Sequence, residues 1–160
     1  MNLQPLIISA PFGVYLRWGG CTSTLGSYTW EYRGGTLKRA WRVAASLRYS
    51  VRLRSWRNKL GLPNPGIQHL PLSVLKNEDV IISLYGFDGW EWSTLVHYVH
   101  AVYPLTNIEL NLSCPNVHHT QTIEDVLPAV QVCPERLIAK LPPLRWLSLA
   151  EPLYEAGVRA

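Results

Sequence analysis

The sequence predicts an α/β protein of the (β/α)₈ TIM-barrel type, apparently truncated after about five strands. Short apolar runs alternate with longer stretches of helical periodicity along the chain. The runs are apolar at successive positions, as expected of parallel strands covered on both faces. Polar residues able to do chemistry gather at the ends of those runs, where barrels build their sites.

The first strand is expected at Leu6 to Ala10 and the second at Ser23 to Thr29. Val80 to Tyr85, rich in β-branched residues, gives the third. Ile108 to Ser113 gives the fourth and Leu137 to Leu141 the fifth. Between the third and fourth, Asp88 with Glu91 three residues on forms a capping-box pattern. Trp92, Leu95, Val96, Val99 and Val102 follow at helical spacing. Thr122 with Asp125 opens a second helix burying Val126, Leu127 and Val130. A last helix, near Leu147 to Glu155, carries Pro152 inside it and stops at Gly157.

With 160 residues, 48% apolar and 16% charged, the chain is expected to be one globular domain over residues 1–160. Its apolar runs fall short of the roughly 18 residues that span a bilayer, and Leu6-Ile7-Ile8 is too short for a signal-peptide core. No membrane partner is expected. Three cysteines, Cys21, Cys114 and Cys133, form an odd set without metal-like spacing, which favours a reducing, cytoplasmic setting. Adjacent His118 and His119 fit no zinc-ligand pattern, so no metal site is expected.

The net charge of +4 is uneven: nine of fifteen basic residues lie between Arg33 and Lys59, with no acidic residue among them. That segment is expected to be a solvated loop and helix surface, and a phosphate or nucleic-acid contact is the lesser alternative. No zinc-finger, RNA-recognition or helix-turn-helix signature supports nucleic-acid binding.

The most informative run is Ile108-Glu109-Leu110-Asn111-Leu112-Ser113-Cys114-Pro115-Asn116-Val117. Asn111 and Asn116 each donate and accept hydrogen bonds, which suits a planar ligand with alternating carbonyl and N–H groups. Cys114 between them is a candidate to exchange a proton with that ligand. Three further blocks stand in order around this run. Asn58-Lys59-Leu60-Gly61-Leu62-Pro63-Asn64 is a stiff Pro/Gly loop, Ala139-Lys140-Leu141-Pro142-Pro143 places a lysine at a strand end, and Gly26-Ser27-Tyr28-Thr29 closes the second strand.

On these four blocks the chain resembles the dihydroorotate dehydrogenases of the soluble, cysteine-base class, over the N-terminal half of their barrel. The resemblance implies FMN-dependent oxidation of dihydroorotate to orotate in de novo pyrimidine biosynthesis. It makes Cys114 the catalytic base and assigns Asn58, Leu60, Gly61, Leu62, Asn111 and Asn116 to the substrate. Ala10, Gly26, Ser27, Asn111 and Lys140 are assigned to FMN. Some of the seven tryptophans and eight tyrosines would then line the flavin, the rest filling core or interface. Leu60 stands where the family has methionine, Gly26 where the soluble class has lysine, and Pro11 where a glycine normally follows the flavin contact. Gly34-Gly35-Thr36-Leu37-Lys38-Arg39 stands for the family's Gly-Asn-Pro-x-Pro-Arg.

The sixth to eighth strands and their phosphate loops are not present in these residues. The resemblance therefore implies that activity needs a complementary half-barrel, from a second polypeptide, a partner copy or sequence beyond residue 160. The alternative is a non-catalytic half-barrel remnant that serves as an interaction module and self-associates through its edges.

Overall fold

Strand and helix formation follow the apolar pattern. The structure, a computed structural model, describes residues 3–10, 12–14, 18–34, 48–52, 54–57, 62–70, 80–114, 121–144 and 146–158. Its strands are β1 (Leu6–Ile8), β2 (Cys21–Tyr28), β3 (Arg48–Ser50), β4 (Ser55–Arg57), β5 (Val80–Leu84), β6 (Asn107–Asn111) and β7 (Leu137–Lys140). Its helices are α1 (Gly89–Val102), α2 (Ile123–Val130) and α3 (Trp146–Glu155).

Five strands form one curled parallel sheet in the order β1-β2-β5-β6-β7. The order follows the sequence, as it does in part of a (β/α)₈ barrel. All five expected strands and all three expected helices are present, with no end shifted by more than two residues. The basic segment departs from its expected loop and helix surface. Part of it is an antiparallel hairpin, β3 with β4, which pairs Arg48 with Arg57. No helix among the described residues is long and apolar enough to cross a membrane.

The sheet has two unlike faces. Leu25, Tyr28, Val80, Ile82, Leu84, Ile108, Leu110 and Leu137 turn outward into a core shared with the helices. Successive strand residues alternate sides, so the opposite face carries Thr22, Thr24, Ile81, Ser83, Asn107, Glu109 and Asn111. That inner face is mostly polar and still buried. The expectation of strands apolar on both faces is therefore corrected: Ser83, Glu109 and Asn111 are buried on the inner face through hydrogen bonds, while Thr24 Oγ1 and Asn107 Oδ1 are buried there without a partner among the described residues.

α1 covers the outer face with Trp92, Leu95, Val96 and Val99, while the expected Val102 lies exposed at its end. Asp88 caps it as the sequence predicts, accepting from the Glu91 N–H at 2.8 Å. The Glu91 carboxylate reaches back to the Phe87 N–H at 2.7 Å, one residue before the cap. In α2, Val126, Ala129 and Val130 are buried and Leu127 only half-buried. Thr122 does not cap the backbone there; its hydroxyl donates to the Asp125 carboxylate at 2.7 Å. α3 ends in a Schellman turn: Gly157 has φ 93°, and the Val158 N–H reaches the Leu153 carbonyl at 3.0 Å.

Candidate functional site

The site lies at the C-terminal ends of β2, β5, β6 and β7, on the inner face. One irregularity in β2 creates it. Leu25 pairs with Ile82 and Tyr28 with Leu84, so β2 has one residue more than β5 over this interval. The bulge keeps Leu25 and Tyr28 in the core and brings Ser27 to the level of Ser83. Gly26 is required at that point: its φ is 121°, and a Cβ there would lie 2.5 Å from the Ser83 carbonyl oxygen.

A chain of buried hydrogen bonds starts from this bulge. The Ser27 and Ser83 hydroxyl oxygens lie 2.7 Å apart, and Ser83 donates to the Glu109 carboxylate at 2.7 Å. Asn111 donates its Nδ2 to Ser27 Oγ at 2.7 Å. On its other side, Asn111 Oδ1 accepts from the Ser113 hydroxyl at 3.1 Å and from the Ser113 N–H at 3.4 Å. Three neighbouring strands are thus joined through side chains above their ladder bonds.

Lys140 is the register partner of Asn111 on β7 and is half-buried. The Leu112 N–H bonds the Lys140 carbonyl at 3.0 Å, extending this pairing past the end of β6. Cys114 follows, half-buried and outside any disulfide. Tyr85, fully buried at the end of β5, has its hydroxyl pKa raised, first by burial and further by its closeness to Cys114. A hydrogen bond with Gln121 and the charge of Arg33 oppose that rise. Gln121 is itself held from both ends, accepting from Trp92 Nε1 at 2.8 Å and donating to the Gly86 carbonyl at 2.9 Å. The Arg33 guanidinium sits 4.4 Å above the Phe87 ring.

The loop at 62–66 is tied to the end of β2 by Asn64. Its Oδ1 accepts from the Thr29 N–H at 3.1 Å and the Gly66 N–H at 2.9 Å. Its Nδ2 donates to the Leu62 carbonyl at 2.9 Å. These bonds hold Leu62, half-buried, near the same sheet end.

Of the residues singled out from the sequence, Ser27 with Gly26, Asn111 and Lys140 come together at the C-terminal ends of β2, β6 and β7, and Cys114 follows three residues after Asn111. Ala10 is half-buried just after β1, on the far side of β2. Asn58, Leu60, Gly61 and Asn116 lie outside the described residues. Sequence reasoning missed Ser83, Glu109 and Tyr85. Their signal was the alternation Asn107, Glu109, Asn111 and the single serine within Val-Ile-Ile-Ser-Leu, which place polar groups on one face.

No family model matches the chain. Among curated proteins it is similar to the catalytic subunit of dihydroorotate dehydrogenase B (NAD(+)) from Petrotoga mobilis, with 34% identity over 122 residues. That alignment covers 64% of this chain and 39% of the relative. It is similar also to the subunit of the same name from Streptococcus pneumoniae, with 33% identity over 69 residues. There the match covers 39% of this chain and 22% of the relative. The chain thus spans well under half the length of the curated relatives it matches. The likeness is to dihydroorotate dehydrogenases, and it is partial.

Proposed function

We propose that residues 1–160 form a single domain, the N-terminal part of a dihydroorotate dehydrogenase-like barrel that oxidises dihydroorotate to orotate in cytoplasmic pyrimidine synthesis. The partial likeness to two dihydroorotate dehydrogenase B subunits supports the reaction class. The observation that carries the proposal is the 2.7 Å contact between Asn111 and Ser27, with Lys140 in register beside it and Cys114 three residues on.

The donor set fits the polar edge of an isoalloxazine. A carboxamide, a hydroxyl and a cation on adjacent strand ends match a ring edge of alternating carbonyl and N–H groups. Asn111, Ser27 and Lys140 would hold that edge of FMN, with Gly26 and Ala10 beside it. FMN, when bound, supplies the hydride acceptor. The Lys140 ammonium places positive charge where negative charge develops. Phosphate binding is assigned to a complementary half-barrel, which also completes the sheet.

Cys114 takes the proton from one ring carbon of dihydroorotate as a hydride leaves the neighbouring carbon, giving the C=C bond of orotate. Asn111 and Asn116 hold the pyrimidine through their carboxamides, and the loop of Asn58, Leu60, Gly61 and Leu62 takes the carboxylate. Asn64 serves that loop by fixing its far end to Thr29. The closeness of Tyr85 to Cys114 gives the thiol a polar neighbour within an otherwise buried wall.

Titration of the purified chain with FMN tests the proposal. Flavin fluorescence should be quenched on uptake, and the bound absorbance should bleach when dihydroorotate is added without oxygen. Cys114→Ala should leave uptake unchanged and slow bleaching by a factor on the order of a hundred or more. A chain that takes up no FMN overturns flavin binding and catalysis by these residues alone, and bleaching unaffected by Cys114→Ala overturns the base assignment. Leu6 and Ile7, exposed on the edge strand β1, favour the alternative reading of a non-catalytic half-barrel that acts as an interaction module.

A further inference from the structure

We propose that Glu109 is a positioning residue that decides which way round the Asn111 carboxamide faces. The inference uses only the hydrogen-bond chain described above; its consequence for ligand choice rests on the dihydroorotate assignment.

The direction of each link follows from proton counting. A carboxylate offers only acceptors, and a hydroxyl has one proton to give. Ser83 spends that proton on Glu109, so in its 2.7 Å contact with Ser27 it can only accept. Ser27 therefore donates to Ser83, which leaves its own oxygen as an acceptor for Asn111. The group facing Ser27 must then be an N–H donor, and Nδ2 stands there at 2.7 Å. Ser113 closes the other side by offering two donors to Oδ1.

Glu109 is only 7% exposed and lies two residues before Asn111 on the same face of β6. Its charge thus orders a relay that leaves β6, crosses β5 to β2 and returns to β6. Among the described residues, the second Nδ2 hydrogen of Asn111 is bonded to nothing further, and it lies at the strand end beside Lys140. The Ser113 N–H favours this orientation through a long 3.4 Å bond to Oδ1, and the buried carboxylate secures it by leaving Ser27 only an acceptor for the carboxamide. The site thereby prefers a planar ligand that offers a carbonyl oxygen at this position.

Replacing Glu109 by glutamine keeps its shape and removes the direction. A glutamine can donate to Ser83, which frees Ser83 to donate to Ser27, and Ser27 to donate to a flipped Asn111. Ser83→Ala breaks the relay at another link and predicts the same loss, should Glu109→Gln fail to fold. The readout is the pair of Asn111 side-chain amide protons by NMR, assigned by their loss in Asn111→Asp, in a chain of 18.1 kDa.

In the unmodified protein we expect one set of Asn111 amide signals with one proton protected from exchange. Glu109→Gln or Ser83→Ala should give two sets, or one averaged set without protection. Orotate affinity should fall roughly three- to tenfold, as expected for one neutral hydrogen bond. Wild-type amide signals in folded Glu109→Gln or Ser83→Ala protein overturn the positioning role. Altered amide signals with no orotate binding by any form support the positioning role and overturn the dihydroorotate assignment.

Discussion

Cys114 and Cys133 are the same residue type in opposite surroundings. Cys133 is 1% exposed, at the turn after α2, and its thiol is pushed up to about 11. Burial is the main cause, the Glu135 carboxylate adds to it, and Arg136 opposes it. A thiol that stays protonated at neutral pH is inert as a base, so Cys133 does not compete for the role proposed for Cys114. A stability consequence follows. The unfolded thiol titrates near its ordinary value of 9.0 and the folded one about two units higher. Between those values the unfolded chain binds fewer protons, so raising pH favours unfolding. The contribution is fully present below pH 9 and is lost as pH rises through 11. Tyr85 and Tyr103, both raised by burial, continue the same trend above 10. Thermal denaturation between pH 8 and 11 should show Cys133→Ala with a lower Tm at neutral pH and a shallower alkaline fall. Parallel curves for the two proteins would contradict this account of Cys133.

At the level of single elements, α1 was legible because every signal agreed. Its capping pair, its helical spacing and its apolar stripe all pointed to one solution. The hairpin of β3 and β4 was not legible, because its runs of three residues are too short for period-two alternation to register. The bulge in β2 was hidden for a related reason: Gly26 reads as an ordinary turn residue until the register with β5 is known. Legibility and energy do not coincide. Trp92 carries much of the packing of α1: it is fully buried, and a Cβ on Gly86 would lie 2.7 Å from its indole. It also holds Gln121, which reaches Tyr85 at the site. Trp92→Ala is expected to cost about 3–5 kcal/mol in urea denaturation. It should also loosen Gln121, so Trp92→Phe, which keeps most of the volume, should cost less while still releasing it. A loss below about 1 kcal/mol for Trp92→Ala would show that α1 packs on the sheet without this anchor.

For the whole molecule, the parallel order of the strands could be read in advance, as could the gathering of polar residues near their ends. The character of the inner face could not. Glu109 and Asn111 look like isolated polar residues in an apolar run, and their hydrogen-bond partners, Ser83 and Ser27, are distant in sequence. The same architecture leaves β1 and β7 each with a neighbour on one side only, among the described residues. Leu6 is 66% exposed on β1, with Ile7 and Phe12 exposed beside it. After β7, Leu144 is 79% exposed, and Trp146 and Leu147 at the start of α3 are exposed as well. An unpaired parallel strand offers backbone donors and acceptors, and apolar side chains around it make pairing more favourable. The isolated chain should therefore self-associate, with a sedimentation coefficient that rises with concentration. Lysine on an edge strand opposes such pairing through repulsion and the need to bury its charge. Ile7→Lys lies on an exposed position, so it should reduce association while changing Tm by no more than a few degrees. If sedimentation stays concentration-independent for the unmodified chain, or if Ile7→Lys leaves association unaltered, β1 is not the contact. The charge belongs on β1 because, among the described residues, Leu6 to Ile8 pair only with Cys21 to Ser23, which leaves the other side of the strand to a partner of matching register.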